Sequence, residues 1–352
     1  MPDWSKSMTQ SFEYYIVDPG TWMDNKPLKN VKKCTISRDL TAETLGSATL
    51  DLTESIGECY VRVYLVTIQN GIKEKHSLGT YLFQSTGSTF NGRTTSYTTD
   101  GYTPLIELKE NLPPIGYSLL KNENVMDSAY RLVRENARAP AIQTTSENTL
   151  YYDFIANTED TWLSFIKDLI TNAKYEFGLD EYSRILFLPK QDIASLQSRW
   201  TYDNGNSSIL HQDISVDKDI WEIPNVLEVV YSNGLDSYNH VVVNDRMDSP
   251  TSTVNRGRVI KKRIVDPEVT GEPTGKMLLE YAEQTLETLS TVECTISYTH
   301  GYCPVRIGDC VRLNYPKAGL SDVKAKVVSQ NIKCEAGCTV SEKAVFTTNL
   351  WR

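Results

Sequence analysis

The chain has 352 residues, of which 40% are hydrophobic, 23% charged and 10% aromatic, and this composition is typical of a folded globular protein. It excludes disorder or a collagen-like architecture for most of the chain. The formal net charge of -9 gives the protein a field that repels nucleic-acid phosphates and anionic lipid surfaces. We therefore expect no stable nucleic-acid binding and no membrane insertion, and the length predicts two or three domains.

The first residues and the cysteine count indicate the compartment. The segment Met1–Lys6 is polar where a secretory signal needs an apolar stretch, and no run of about 18 apolar residues occurs anywhere. The seven cysteines are an odd number spread over a long chain, which favours reduced thiols over an extracellular disulfide framework. We expect the protein to be made and to fold in a cytosol.

Short β-type segments separated by turns dominate residues 31–100. Tyr outnumbers Phe by 20 to 8, a bias toward half-buried pleated surfaces. Dipeptides that suit tight hairpin turns are frequent, and they are Asn70-Gly71, Asn91-Gly92, Asp100-Gly101, Asn204-Gly205 and Asn233-Gly234. The strands predicted in this region are Lys33–Ser37, Ser47–Leu52, Tyr60–Leu65 and Thr80–Phe83. The pattern predicts one small antiparallel barrel or sandwich, which ends where Pro113 and Pro114 interrupt strand pairing.

Two amphipathic helices and a hairpin follow this β region. Apolar residues at helical spacing predict a helix over Met126–Ala137 and a second over Thr161–Lys174, with Asp160 as its N-cap. A strand-like stretch with a turn near Glu181–Ser183 predicts the hairpin. We assign these elements to a compact α+β insert.

From Trp200 the pattern becomes β again. A third helix is predicted over Gly275–Ser290, with Thr274 as its N-cap and an apolar face made of Leu278, Tyr281, Thr285 and Leu289. The predicted strands are Val226–Tyr231, His240–Val243, Val311–Asn314, Lys324–Ile332 and Ala344–Thr348. The predicted fold class is mainly β with an α+β insert, divided into domains 1–112, 113–205 and 206–352.

Common catalytic and cofactor motifs do not occur in the sequence. The nearest approach to a phosphate-binding loop is Gly271–Lys276, which is one residue too short between its glycines and is followed by Met277 instead of a hydroxyl residue. We interpret it as the loop that leads into the third helix. The four histidines, which are His76, His211, His240 and His300, are predicted to be solvated or hydrogen-bonded structural residues.

The sharpest chemical candidate is a group of four cysteines near the end of the chain. Cys303, Cys310, Cys334 and Cys338 lie within 36 residues beside His300 and could hold Zn²⁺ tetrahedrally, but their spacing does not match common zinc ribbons. A disulfide formed in an extracellular particle is an alternative, and reduced buried thiols are the reading that we favour. We assign no catalytic, cofactor-binding or metal-binding residue.

Two other features are open to more than one interpretation. The basic cluster of Arg256, Arg258 and Lys261–Arg263 suits a DNA contact less well than a solvated loop or a contact with an acidic partner. Three tryptophans lie near the termini and suit either docking onto neighbouring subunits or burial in a core, and they are Trp4, Trp22 and Trp351.

Several segments together resemble the tail hub proteins of tailed bacteriophages, also called baseplate hub or tail-tip proteins. The resemblance covers roughly residues 30–350 in order, and it depends on this order and on the β, α+β, β layout. The segments that carry it are Ser37–Asp39, Gly46–Leu50, Val61–Tyr64, Leu78–Leu82, Gly101–Leu108, Thr161–Phe165, Ile223–Val226, Ser249–Thr253, Arg256–Arg258 and Ile307–Leu313.

The resemblance implies a homotrimer in which two tube-like antiparallel β-barrel domains per subunit form a pseudo-sixfold ring. Such a ring adapts a hexameric tail tube to a threefold tip or spike and leaves a channel for DNA. The implied partners are the tail tube protein, the spike or tip protein, other baseplate proteins and the tape measure protein. The implied location is the tail of the virion, after assembly in the host cytoplasm.

We therefore expect a structural virion protein without enzymatic activity or cofactors. Some related tail-tip proteins continue into a peptidoglycan hydrolase or receptor-binding region, and we expect none here because Arg352 follows the last predicted strand directly. Two alternatives are a wall-degrading hydrolase that uses the insert around Trp162 and Asp180, and a carbohydrate-binding β module.

Overall fold

The computed structural model describes residues 2–232, 237–267 and 274–351, and most of its regular structure is antiparallel β. The strands are β1 (Thr9–Asp18), β2 (Met23–Pro27), β3 (Val31–Asp39), β4 (Gly46–Leu52), β5 (Cys59–Gln69), β6 (Ile72–Phe90), β7 (Thr95–Tyr102), β8 (Ser118–Leu119), β9 (Phe154–Ile155), β10 (Tyr175–Leu179), β11 (Ile185–Pro189), β12 (Ser198–Asp203), β13 (Leu210–Lys218), β14 (Val226–Ser232), β15 (Ser237–Val243), β16 (Lys261–Val265), β17 (Thr291–Gly301), β18 (Cys310–Tyr315), β19 (Leu320–Lys333) and β20 (Thr339–Asn349). The helices are α1 (Leu105–Glu110), α2 (Val125–Asn136), α3 (Trp162–Asn172), α4 (Thr253–Arg256) and α5 (Gly275–Leu289), with a 3₁₀ turn at Pro316–Ala318. The predicted fold class, mainly β with small helical parts, is confirmed.

The chain forms two compact units. The first consists of Met1–Asp213 and Tyr298–Lys343, and the second of Ile214–Ser297 and Ala344–Arg352. The division into domains 1–112, 113–205 and 206–352 stays a prediction. In the described part of the chain, none of the helices combines the length and apolar character that crossing a bilayer requires.

A large sheet with distant segments of the sequence side by side forms the first unit. Its strand order β19-β3-β4-β7-β6-β5-β1-β2 places β19 next to β3, although about 290 residues separate them, as in the pair Gln330 and Arg38. The strand β5 lies between β1 and β6, and eight consecutive residues of it, Tyr60–Thr67, are buried. Because such long-range pairs hold both ends of the unit, the sheet can place residues from both ends of the chain in one site.

Helices α1, α2 and α3 share one hydrophobic cluster with the sheet of the first unit. The buried residues of α3, which include Trp162, Phe165 and Leu169, follow the helical spacing that predicted this helix. The predicted N-cap Asp160 is wrong: Thr161 Oγ1 accepts the Ser164 N–H at 3.1 Å, and Ser164 Oγ accepts the Thr161 N–H at 3.0 Å. This reciprocal capping box satisfies two backbone donors, whereas Asp160 bonds the Ser164 hydroxyl and the Asn157 N–H.

The second unit contains a three-stranded sheet, ordered β15-β14-β16, with α5 against one face. The predicted helix is confirmed, and Thr274 is its N-cap. Its fully buried residues are Leu278, Ala282 and Leu286, which pack against Leu227 and Val229. Of the predicted face, Leu278 is buried and Tyr281 and Leu289 are partly buried against the same cluster, while Ala282 and Leu286 complete the row with a spacing of four residues.

The turn predictions had mixed outcomes. Asn70 and Gly71 form the β5–β6 turn with φ of 51° and 78°, as predicted. Asn91-Gly92 lies in a longer connection in which the Asn91 side chain accepts the N–H groups of Arg93 and Thr94. Asn233-Gly234 lies outside the described residues, as do residues 271–273 of the loop that resembles a phosphate-binding loop.

Two predicted hairpin turns are wrong. Gly101 lies inside β7 opposite Phe83, whose ring covers it so closely that a Cβ on Gly101 would lie 2.7 Å from Phe83 Cδ1. The glycine is required by this close approach and not by a turn. Asn204-Gly205 does not connect a hairpin either, because β12 pairs in parallel with β18 and not with the strand that follows it.

Candidate functional site

Buried polar side chains form a connected network inside the first unit. The His300 and Glu342 side chains are 1% and 0% exposed, and their Nε2 and Oε2 atoms lie 3.4 Å apart. His300 Nδ1 lies 2.7 Å from the Gly301 carbonyl oxygen, which can only accept a hydrogen bond. Since both ring nitrogens face acceptors, the site favours the doubly protonated imidazolium.

The pKa of His300 follows from two opposing effects. Burial disfavours the charged ring, but hydrogen bonds to Cys303 and Glu342, together with the negative charge of Glu342, outweigh it and raise the pKa to about 10. The ring is therefore charged at neutral pH and forms a buried ion pair with Glu342. The Tyr202 hydroxyl also lies 3.2 Å from His300 Nε2 and 3.3 Å from Cys303 Sγ.

The network continues from Glu342 through an amide to a buried arginine. Gln330 Nε2 donates to Glu342 Oε2 at 2.6 Å and to the Val305 carbonyl at 3.0 Å. Gln330 Oε1 accepts from Arg38 Nη1 at 3.0 Å, and Arg38 Nη2 donates to the Leu78 carbonyl at 2.7 Å. The buried polar groups thus find partners within the protein, which limits the cost of removing them from water.

The sequence contained a signal for this network that the motif search missed. Burial alternates along β17, so that Tyr298 and His300 lie in phase with its apolar inward positions. Glu342 lies in the same way between the buried residues Val340 and Ala344 of β20. A charged residue in the inward phase of a strand requires a buried partner, but the sequence does not state which strand provides it.

The structure does not gather the four C-terminal cysteines around one point. All four are buried free thiols, and Cys303 contacts His300 and Tyr202 of the network. Cys310 is the first residue of β18, where its Sγ is 3.9 Å from Ser198 Oγ. Among the described residues, no group of three or more His, Cys, Asp or Glu side chains could hold a metal ion.

The other two cysteines lie near Cys34. The Cys334 N–H donates to the Cys34 carbonyl at 3.0 Å. A hydrogen bond to Cys34, followed by burial, raises the pKa of Cys334 well above its usual value, and burial raises that of Cys338. These thiols are therefore protonated and unreactive at neutral pH.

Asp180 and Trp162, the residues of the alternative hydrolase site, both have structural contacts. Asp180 Oδ1 accepts the N–H groups of Tyr182 at 2.9 Å and Arg184 at 2.8 Å, and its Oδ2 pairs with the Arg184 guanidinium. Trp162 is buried, with its ring 4.9 Å from that of Tyr117. The carboxylate forms the β10–β11 turn, and the indole forms part of the helical core.

Part of the basic cluster is paired within the second unit. Glu228 Oε2 lies 3.1 Å from Lys261 Nζ and forms a second ion pair with Arg263. These contacts, first with Arg263 and then with Lys261, lower the pKa of Glu228. One carboxylate thus balances two of the five positive charges.

The arginines of the same cluster bind backbone and ring acceptors. Arg256 donates to the Ile223 carbonyl at 2.8 Å and to the Ile220 carbonyl. The Arg258 guanidinium lies 4.7 Å from the centre of the Trp221 ring. Four of the five basic residues of the cluster therefore have contacts within their own unit.

The structure places the three terminal tryptophans in or against the cores of their own units. Trp4 packs edge-on against His76 and Tyr302, and the indole N–H of Trp22 donates to the Tyr182 carbonyl at 3.0 Å. Trp351 packs against the cluster around α5. The geometry favours the core interpretation for all three.

Solved structures of other proteins share the fold of this chain, although their sequences differ. No family model and no curated protein sequence matches it. The solved structure of a tail protein from Neisseria meningitidis MC58 is similar over 96% of this chain and 96% of its own, with 12% identity and a TM-score of 0.61. The 43 kDa tail protein of prophage MuSo2 from Shewanella oneidensis is similar over 95% and 97%, with 14% identity and a TM-score of 0.59.

A chain of a Francisella protein complex has a similar fold. In a Francisella PdpA–VgrG complex, one chain is similar over 97% of this chain and 58% of its own, with 9% identity and a TM-score of 0.56. At these identities the likeness establishes the fold. The chain has the fold of phage tail proteins, and the resemblance drawn from the sequence is confirmed at that level.

Proposed function

We propose that the protein is a structural component of a phage tail, a homotrimeric hub that joins the hexameric tail tube to a threefold tip or spike. The observation that carries the proposal is the likeness of fold to two tail proteins along almost the whole length of both chains. The chain of the Francisella PdpA–VgrG complex supports it less specifically, because only 58% of that chain is matched. The proposed partners are the tail tube, spike or tip, tape measure and other baseplate proteins, and the proposed location is the virion tail after assembly in the host cytoplasm.

The charge of the protein supports a channel that DNA passes without binding. Three copies, each with a formal charge of -9, would carry -27 together and repel phosphates. Within the basic cluster, Lys261 and Arg263 pair with Glu228, and Arg256 donates to carbonyls. These contacts reduce the charge that the cluster could offer to DNA.

One face of the sheet in the second unit supports contact with a second copy of the chain. On the face opposite α5, Val241 is 49% exposed, Val243 is 44% exposed and Val265 is 59% exposed. Val241 is the cross-strand partner of Glu228, and Val265 that of Val230, so these valines share one surface with the ion pairs of Glu228. Exposed apolar side chains beside paired charges are typical of surfaces that bind a protein partner.

The experiment that tests the proposal is a mass measurement by light scattering on the purified chain. A trimer has about 119 kDa, three times the 39.8 kDa of one chain. We expect this mass alone or after addition of the tail tube protein. A chain that remains a monomer under both conditions would favour the carbohydrate-binding module. Hydrolysis of purified peptidoglycan that Asp180→Asn abolishes would favour the hydrolase.

A further inference from the structure

A small cavity in the first unit is lined by two arginines and an apolar wall. It has a volume of about 50 Å³, and Arg38 and Arg306 both line it. The apolar wall consists of Leu40, Leu45, Phe177, Leu179, Leu188 and Ile307. Because a water needs about 10–15 Å³ of such space, the cavity has room for roughly three to five non-hydrogen atoms. Arg306 is partly exposed, so the cavity can be reached from solvent.

Neither arginine has a carboxylate as its counter-ion among the described residues. Arg38 donates to Gln330 and the Leu78 carbonyl, and Arg306 Nη2 donates to the Asp180 carbonyl at 2.8 Å. The buried Arg62 shows the contrast, because its Nη1 lies 2.9 Å from Asp24 Oδ1. Two guanidinium groups with neutral partners are costly to hold near each other in a low dielectric.

The acidic residues nearby have other partners or lie farther away. Glu176 lines the cavity, but its Oε1 lies 3.2 Å from Lys326 Nζ. Glu181 acts on Arg306 electrostatically, and the Asp309 carboxylate accepts the Arg306 backbone N–H at 2.9 Å. Burial and then the positive charge of Arg38 lower the pKa of Arg306 to about 10, so the Arg306 guanidinium is charged at neutral pH. The acidic lining residue Glu176 is therefore paired with Lys326, and neither lining guanidinium has an ion-pair partner among the described residues.

We propose that this cavity binds a small carboxylate, whose oxygens accept from Arg38 and Arg306 while its short carbon chain contacts the apolar wall. A guanidinium presents parallel N–H donors that match the two oxygens of a carboxylate. The apolar wall distinguishes a carboxylate from inorganic phosphate, which has polar oxygens on all sides. This site is independent of the hub role, since it needs only one chain.

The experiment compares propionate with propionamide on the full-length protein at constant ionic strength. The two probes have nearly the same shape, and only propionate is charged. At about ten times its dissociation constant, propionate should raise the midpoint of thermal unfolding by about 2–4 °C, and propionamide should not. Equal shifts with both probes, or a larger shift with inorganic phosphate, would overturn the proposal.

Variants locate the binding to the cavity. Arg306→Gln should weaken propionate binding about tenfold or more, and Arg306→Lys should restore part of it. Arg134→Gln, which changes an exposed arginine of α2, is the matched control and should bind like the unmodified protein. Propionate binding that Arg306→Gln leaves unchanged would place the anion elsewhere and contradict the proposal.

Discussion

The charge on His300 depends on contacts that only the folded chain provides. Its pKa rises from 6.5 to about 10, so the ion pair with Glu342 contributes stability fully below pH 6.5 and loses it as the pH rises through about 10. His300→Gln should lower the free energy of unfolding by about 3–5 kcal/mol at pH 6, because it leaves Glu342 buried without its counter-ion. The difference from the unmodified protein should narrow between pH 6.5 and 10, measured by urea unfolding at each pH.

A matched control is His211→Gln, since His211 is exposed in the first unit. It should change the free energy of unfolding by no more than about 0.5 kcal/mol at any of these pH values. A His300→Gln difference that stays constant from pH 6.5 to 10 would contradict the assignment of a charged imidazole.

The burial of the cysteines leads to a second prediction at the scale of single residues, which concerns the reactivity of their thiols. Six of the seven are buried free thiols, and Cys59 is partly exposed, with a pKa that burial raises. A thiol reagent should therefore modify Cys59 slowly in the native protein, and Cys59→Ser should remove this reaction. After unfolding without a reductant, the unmodified protein should titrate all seven thiols. A smaller number would show that a disulfide or a bound metal protects some of them.

The residues of the network show where sequence reasoning stops. His300 was noticed because it lies near Cys303, but its ion-pair partner Glu342 is on β20. Only the pairing of strands brings the two together, and a single sequence does not contain that pairing. The inward phase of both residues could be read from the alternation of each strand.

At the scale of elements, local patterns predicted helices better than turns. Helix α3 was predicted because its apolar spacing fixes its buried face without reference to the rest of the chain. Asp100-Gly101 has the composition of a turn, yet Gly101 lies in β7 because the Phe83 ring covers it from the neighbouring strand. The sequence did not predict the parallel pairing of β12 with β18, as in Tyr202 and Leu313, because local patterns do not specify which strands lie side by side.

The sheet face of the second unit allows a prediction about assembly. Val241→Asp places a charge next to Glu228 on the face that we propose as a subunit contact. It should reduce the trimer fraction at least tenfold, while circular dichroism stays unchanged because Val241 is exposed in the monomer. Val259→Asp, at a valine that is 64% exposed outside this sheet, is the control and should assemble normally. Normal assembly of Val241→Asp would exclude this face as the contact.

At the scale of the whole molecule, the sequence pattern indicated the fold but does not specify the contacts between copies. The order of β and α+β segments indicated the class of tail proteins, and two tail proteins share the fold over nearly their full length. The trimer and its channel depend on surfaces that meet only between copies. Neither periodicity nor composition specifies how such surfaces pair.

The most direct test is electron cryomicroscopy of the virion, with copies of this chain counted at the distal end of the tail. We expect three copies in one ring around an open channel, between the hexameric tube and the tip. A single copy, six copies, or absence of the chain from the particle would contradict the hub assignment.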